Sequence, residues 1–194
     1  MKSKIRDLTN FVKDVMKKKF DQEVYYYYFK DVFQLDEDYK MKELSTGMKV
    51  KYFLSLELAK NPDLLVLDEP TSGLDPIVRD EVLDILRCVA KEKNTSVLFS
   101  SHITEDIEKI ADRVIFINNG RIVLQGDKKE IKKKYVKLNQ QQYVILVNAG
   151  MAKECVSIHD YYIVDRDLAM TCNVEVKEAL LSDILSYMRK RSED

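Results

Sequence analysis

The chain has 194 residues, 45% of them hydrophobic, and its 32 basic and 33 acidic side chains leave a net charge of -1. That size allows one sizeable core or a core with a small appendage, and the even charge balance argues against nucleic acid or an acidic membrane surface as a partner. No apolar run reaches the roughly 18 residues of a membrane span, no basic-then-apolar leader is present, and Cys88, Cys155 and Cys172 stand apart, as reduced packing thiols of a cytosolic protein do.

Residues 4–34 read as helical, with Phe11, Val12, Val15 and Met16 on one apolar stripe and Tyr25, Tyr28, Phe29 and Val32 on another. The four tyrosines Tyr25 to Tyr28 are expected to send two rings inward and two to solvent or a partner; stacking on a nucleotide is the alternative. Lys17 to Lys19 and Lys132 to Lys134 read as solvated helix faces. After a short loop, Leu44 to Gly47, a helix from Met48 to Lys60 carries Val50, Phe53, Leu54 and Leu58 inward and stops at Asn61-Pro62. Leu64 to Leu67 is a continuous apolar run, the pattern of a strand buried on both faces of a parallel sheet.

Asp75 and Pro76 open the next helix as N-cap and first helical residue, with Val78, Val82, Ile85, Leu86 and Val89 inward. Val97 to Phe99 is a second buried strand and Ile103 to Ala111 a short helix. Val114 to Ile117 and Ile122 to Leu124 form a hairpin through Asn119-Gly120, and Lys128 to Tyr135 is a polar helix. This alternation predicts an α/β fold with a mainly parallel sheet. Beyond it, Tyr143 to Val147, Glu154 to Ile158, Tyr161 to Val164 and Leu168 to Cys172 read as strands. Val176 to Lys190 reads as a helix with Leu180, Ile184 and Tyr187 inward. Residues 138–194 are therefore expected to form a small accessory α+β unit, with Asp165-Arg166-Asp167 as a charged turn and His159 without a role.

The chemistry concentrates at Leu67-Asp68-Glu69-Pro70, where two carboxylates end an apolar strand. An unpaired buried charge is costly, and ligands of open α/β sheets bind at the carboxyl ends of strands. One carboxylate there can hold Mg²⁺ through water and its neighbour can orient or deprotonate a water; a capped strand end without catalysis is the other reading of this tetrapeptide. Upstream, Leu44-Ser45-Thr46-Gly47-Met48-Lys49 leads into a helix whose N-terminus could take a phosphate, although a serine N-cap is common. Downstream come Ser72-Gly73-Leu74-Asp75 and, after the second strand, Ser100-Ser101-His102. A lone histidine is more often structural; at a strand end it could instead touch a phosphate.

The order LSTGMK, LLVLDEP, SGLD and SSH resembles the second half of an ABC transporter nucleotide-binding domain of the bacterial drug- and peptide-exporter kind, over roughly Phe11 to Tyr135. The spacing, 21 residues from Gly47 to Asp68 and 34 from Asp68 to His102, makes the likeness specific. It implies a partial P-loop NTPase domain at 1–137, with a helical subdomain at about 1–60 and a catalytic α/β part at about 61–137, followed by the extension at 138–194. It also implies roles. Ser45, Thr46 and Gly47 form the signature loop that grips the γ-phosphate of ATP held by an opposite subunit. Asp68 ends the Walker B strand and organises Mg²⁺, and Glu69 is the general base. Ser72, Gly73 and Asp75 lie in a loop crossing the dimer interface, and His102 is the switch histidine. The family signature is LSGGQ; Thr46 and Met48 depart from it, which suggests weaker engagement across the dimer.

The sequence contains no GxxxxGK[ST], the loop whose amides and lysine cradle phosphates. Two explanations stand: the 194 residues are a piece of a longer transporter ATPase, or they are a half-domain completing an ATP site in another chain. The intact catalytic groups favour the first. The resemblance implies ATP and Mg²⁺ as ligands. It implies a second ABC ATPase, identical or different, and an integral membrane permease as partners, at the inner face of the cell membrane. Unpaired sheet edges would favour self-association, and a non-hydrolysing interaction module is the rival from another class.

Overall fold

The computed structural model describes residues 4–92 and 95–192. They form two compact units, 1–102 and 103–194.

In the first unit the expected helical stretch is broken in two. Helix α1 spans Ile5–Met16 and α2 spans Gln22–Tyr26, continued by a π-helical turn at Tyr27–Val32. Lys17 interrupts them with φ 51, and Asp21 restarts the chain by accepting from the amides of Glu23 and Val24. Such a cap satisfies donors that a continuous helix would not expose. The inward side of α1 is Ile5 and Thr9, not the expected Phe11 and Val15, which are exposed. The Thr9 hydroxyl meets the hydroxyls of Tyr25 at 2.9 Å and Tyr52 at 3.2 Å, so three buried oxygens satisfy one another. Burial pushes both phenols above their ordinary titration range. Tyr25 and Tyr28 are buried, Tyr26 is half-buried and Tyr27 is exposed. Tyr25 stacks on Phe29, whose ring meets the edge of Tyr52, so these rings build the core of the helical part.

Helix α3, Thr46–Leu58, buries Tyr52, Leu54, Leu56 and Leu58 and leaves Phe53 exposed. Strand β1, Leu64–Leu67, pairs in parallel with β2, Ser96–Phe99, and α4, Pro76–Glu92, connects them. This is the unit in which the expected alternation holds. The expectation of strands covered on both faces does not: Leu65 is buried, but Leu64, Val66 and Leu98 are 55%, 63% and 55% exposed. An apolar run fits a sheet with two covers, and the described residues of this unit supply one.

In the second unit, α5, Thr104–Ile110, precedes the hairpin of β3, Arg113–Asn118, and β4, Arg121–Asp127. Asn119 and Gly120 turn it with φ 49 and 73, the left-handed pair that a two-residue hairpin turn demands. Helix α6, Lys128–Lys134, leads directly into β5, Tyr135–Leu138. A four-stranded sheet follows, in the order β6 (Val156–Ile158), β7 (Tyr161–Asp165), β5 and β8 (Lys177–Glu178), with every pairing antiparallel. The described sheets are thus parallel only at β1–β2, and the expected mainly parallel sheet is not what these residues form.

Two expected strands are helices. The apolar run Tyr143 to Val147 lies in α7, Gln140–Asn148, because Asn139 and Gln142 close a reciprocal capping box at its start. Leu168 to Cys172 falls in α8, Arg166–Thr171, and its C-cap, because Asp165 accepts from the Asp167 amide; the charged turn is a helix start. Helix α9 spans Leu181–Arg191, with Ile184 and Tyr187 buried and Leu180 exposed at its N-cap. The expected boundary at 137/138 cuts through β5. Tyr135 packs with Val114, Ile131, Ile158 and Ile184, and Val136 with Leu146 and Val164, so hairpin and extension share one fold.

Candidate functional site

The parallel register sets the site. Leu67 lies opposite Phe99, so the chain leaves both strands side by side and Asp68 faces Ser100. The last ladder bond runs from the Ser100 amide to the Leu67 carbonyl at 3.0 Å. The Ser100 hydroxyl then donates to Asp68 Oδ1 at 2.5 Å and accepts from the Glu69 amide at 2.9 Å. Glu69 itself sits at φ 47, a left-handed conformation that costs a residue with a side chain about 1–3 kcal/mol. Its carbonyl accepts from the Ser72 amide at 3.1 Å.

Glu69 Oε2 lies 2.7 Å from His102 Nδ1. An ionised carboxylate only accepts, so in this contact Nδ1 carries the proton and Nε2 is left for another group. His102 is 68% exposed and Glu69 35%, so the pair faces solvent. Asp68, Glu69, Ser100 and His102 therefore converge at the carboxyl ends of two parallel strands, where α/β proteins bind ligands. The sequence alone gives Ser100 no role beyond its place in the SSH run; the signal for one is its position directly after β2, beside Asp68.

The other candidates gather at two helix starts. Ser45 caps α3 by accepting from the Met48 amide at 3.1 Å, with Ser45 and Thr46 exposed and Gly47 buried. Asp75 caps α4 by accepting from the amides of Ile77 and Val78, each at 3.1 Å. Gly47 touches this second start: a Cβ built on it would lie 2.7 Å from Val78 Cγ1. Between Glu69 and Asp75 the chain turns through the buried Thr71, the exposed Ser72 and Gly73 at φ 71.

A magnesium ion that arrives with a nucleotide needs one or two carboxylates, the rest of its shell being phosphate and water. Asp68 fits such a use, with Oδ1 held by Ser100 and the side chain exposed. Among the described residues no group of three or more His, Cys, Asp or Glu could hold an ion by itself, and no described helix is long and apolar enough to cross a membrane.

A family model described as "AAA domain, putative AbiEii toxin, Type IV TA system" matches residues 2–105, more than half of the chain and all of this site. A solved ATP-binding subunit of an ABC transporter superposes with TM-score 0.55 over 89% of this chain and 63% of its own, at 18% identity. Together they define an α/β domain of the P-loop NTPase class. The ABC transporter ATP-binding protein YtrB of Bacillus subtilis is 32% identical over 78% of this chain and 52% of its own length. The energy-coupling factor transporter ATP-binding protein EcfA2 of Clostridium perfringens is 44% identical over 50% of this chain and 35% of its own. The chain belongs to the family of that AAA-domain model and is a homologue of ABC transporter ATP-binding proteins, and it spans about half or less of the length of these relatives.

Proposed function

We propose that this chain is the hydrolytic portion of an ABC transporter ATPase, working in a nucleotide-sandwich pair and driving export through a membrane permease. The observation that carries the proposal is the meeting of Asp68, Glu69 and His102 at the ends of two parallel strands, with Glu69 and His102 at 2.7 Å. Asp68, closing a Walker B strand, takes Mg²⁺ of the substrate through water. Glu69 is the general base for the attacking water. His102 contacts the γ-phosphate through Nε2, and it donates from both ring nitrogens only as imidazolium.

Ser45, Thr46 and Gly47 serve the opposite site, as the signature turn of one subunit reaching the nucleotide of the other. The N-terminus of α3 supplies amides and a positive end there. Ser72, Gly73 and Asp75 form the crossing loop between the two sites. Export as the direction rests on the likeness of the four motifs to drug- and peptide-exporter subunits. The working location is the cytoplasmic face of the membrane, beside an integral permease and a second ATPase subunit. The bare apolar face of Leu64, Val66 and Leu98 supports association with a further segment or a second copy.

These 194 residues carry no GxxxxGK[ST], so the phosphates of ATP must be gripped by a segment outside them. Calorimetric titration with Mg-ATP at millimolar nucleotide is expected to give no saturable binding by the 194-residue chain. Micromolar saturable binding would overturn the division of labour between the two segments. With a phosphate-gripping segment supplied, ATP turnover is expected; tight binding without turnover would instead identify a non-hydrolysing interaction module.

A further inference from the structure

We infer that Ser100 is a positioning residue that aims the two carboxylates in different directions, one toward the metal and one toward the water. The inference rests on the proposed roles of Asp68 and Glu69.

The Ser100 hydroxyl touches both residues. It donates to Asp68 Oδ1 at 2.5 Å, a charge-assisted bond at the short end of the range for a hydroxyl on a carboxylate. With a lone pair of the same oxygen it accepts from the Glu69 amide at 2.9 Å. Donor and acceptor are therefore used in opposite senses, which no apolar residue and no simple cation can reproduce.

The Glu69 bond has a specific task. A glutamate at φ 47 is held in a conformation that L side chains disfavour, and such residues persist only where the surroundings over-determine them. Here Ser100 holds the amide of Glu69 and the Ser72 amide holds its carbonyl. His102 takes the carboxylate. The left-handed turn directs the Glu69 side chain toward His102, while Asp68, one residue earlier, leans on Ser100.

Two adjacent carboxylates on an extended strand would point to opposite faces by alternation alone. The strand ends at Leu67, however, and neither residue has ladder geometry to fix it. Ser100 replaces that geometry, and the parallel register sets it beside Asp68 at the neighbouring strand end. Without the hydroxyl, Asp68 Oδ1 loses this donor and the Glu69 peptide loses one restraint against the extended conformation that a residue before proline prefers.

The test uses Ser100→Ala and Ser100→Thr, the second retaining the hydroxyl, with Ser100→Cys as a weak-donor variant should the alanine chain fail to fold. The first readout is amide hydrogen exchange by NMR in the 194-residue chain. At Glu69 we expect exchange to quicken about tenfold or more in Ser100→Ala, to be intermediate in Ser100→Cys and to return to the parent rate in Ser100→Thr. The amides within β1 should keep their protection. Unchanged Glu69 exchange in the alanine or cysteine variant would overturn the contact. The second readout is ATP turnover with the phosphate-gripping segment supplied. We expect Ser100→Ala to lower kcat at least tenfold with KM for ATP within a factor of about two, and Ser100→Thr to restore it. Altered exchange with unaltered kcat would overturn the positioning role. If the complete parent enzyme turns over no ATP, the proposed function fails, while the exchange data still decide the contact.

Discussion

Gly47 is fitted against Val78: a methyl group on its Cα would lie 2.7 Å from Val78 Cγ1, closer than side-chain carbons approach one another. The glycine of the proposed signature turn therefore has a packing reason to be glycine, independent of any phosphate. Overpacking of this kind costs about 1–3 kcal/mol. Gly47→Ala is expected to lower the urea midpoint accordingly, and Val78→Ala in the same chain is expected to recover most of that loss. Recovery of stability without recovery of turnover would separate the packing role from the phosphate role. No loss of stability in Gly47→Ala would show that α4 yields at Val78 and that the fit is loose.

The pairing of Glu69 with His102 sets a second expectation. Glu69→Gln keeps the size and a hydrogen-bonding oxygen but removes the base. In the complete ATPase it should lower kcat by about 10²–10⁴-fold, the range for a lost general base, with nucleotide binding retained. His102→Ala should also slow turnover, while leaving a base that is less well oriented. Phosphate release in single-turnover experiments measures both. Wild-type rates in Glu69→Gln would remove Glu69 from the chemistry and return the Asp68-Glu69 pair to a capped strand end.

The placement of Asp68, Glu69 and His102 at the ends of two strands was legible in the sequence, whereas several elements around them were not, and the reasons are physical. Asp68 and Glu69 stood out because two carboxylates that end an apolar strand are hard to explain by packing, and His102 because it follows a second such strand. Ser100 did not, because its meaning lies in a register, Leu67 opposite Phe99, that one strand cannot reveal. The runs at Tyr143 to Val147 and Leu168 to Cys172 read as strands because short apolar runs carry no period. The caps at Asn139 and Asp165 decide for helix. Conversely, β5 was hidden behind the polar helix α6, since Tyr135 to Leu138 has too few residues to display an alternation. Leu64, Val66 and Leu98 show the opposite case: the sequence encodes a covered face that the described residues of this unit leave bare.

The three cysteines should differ in reactivity. Burial, with help from Glu154 and Cys172, pushes the Cys155 thiol up to about 11, whereas Cys88 lies exposed on α4. At pH 8 a thiol titrating there is thiolate in about one molecule in a thousand, and the thiolate is the nucleophile. Iodoacetamide followed by peptide mass spectrometry should therefore modify Cys88 first and Cys155 last, at least tenfold more slowly. Mild denaturant should abolish the difference, because opening the packing around Leu146 and Val164 returns Cys155 to water. Equal rates in the native chain would place Cys155 at the surface.

Asp183 on α9 is a buried charge of the second unit with three hydrogen-bond partners. Its carboxylate accepts from Tyr161 Oη at 2.6 Å, from Lys137 Nζ at 2.7 Å and from the Leu180 amide at 2.7 Å. Burial alone would raise its pKa; the bonds from Lys137, Tyr161 and Leu180 outweigh that and hold it below the ordinary carboxylate value. The partner Tyr161 is pushed up to about 12, by burial and then by this same carboxylate. Since the folded-state value of Asp183 is depressed, its contribution to stability is complete above the carboxylate range. It fades as pH falls from the unfolded-chain value through the folded one. Removing one partner of a buried pair costs about 3–5 kcal/mol. Asp183→Ala is therefore expected to lose several kcal/mol at pH 7 and progressively less as pH falls below the ordinary carboxylate range. Urea unfolding across that range, followed by far-ultraviolet circular dichroism, measures it. A cost in Asp183→Ala that stays constant with pH would mean that Asp183 contributes by packing, and that the bonds to Lys137 and Tyr161 add no net charge stabilisation.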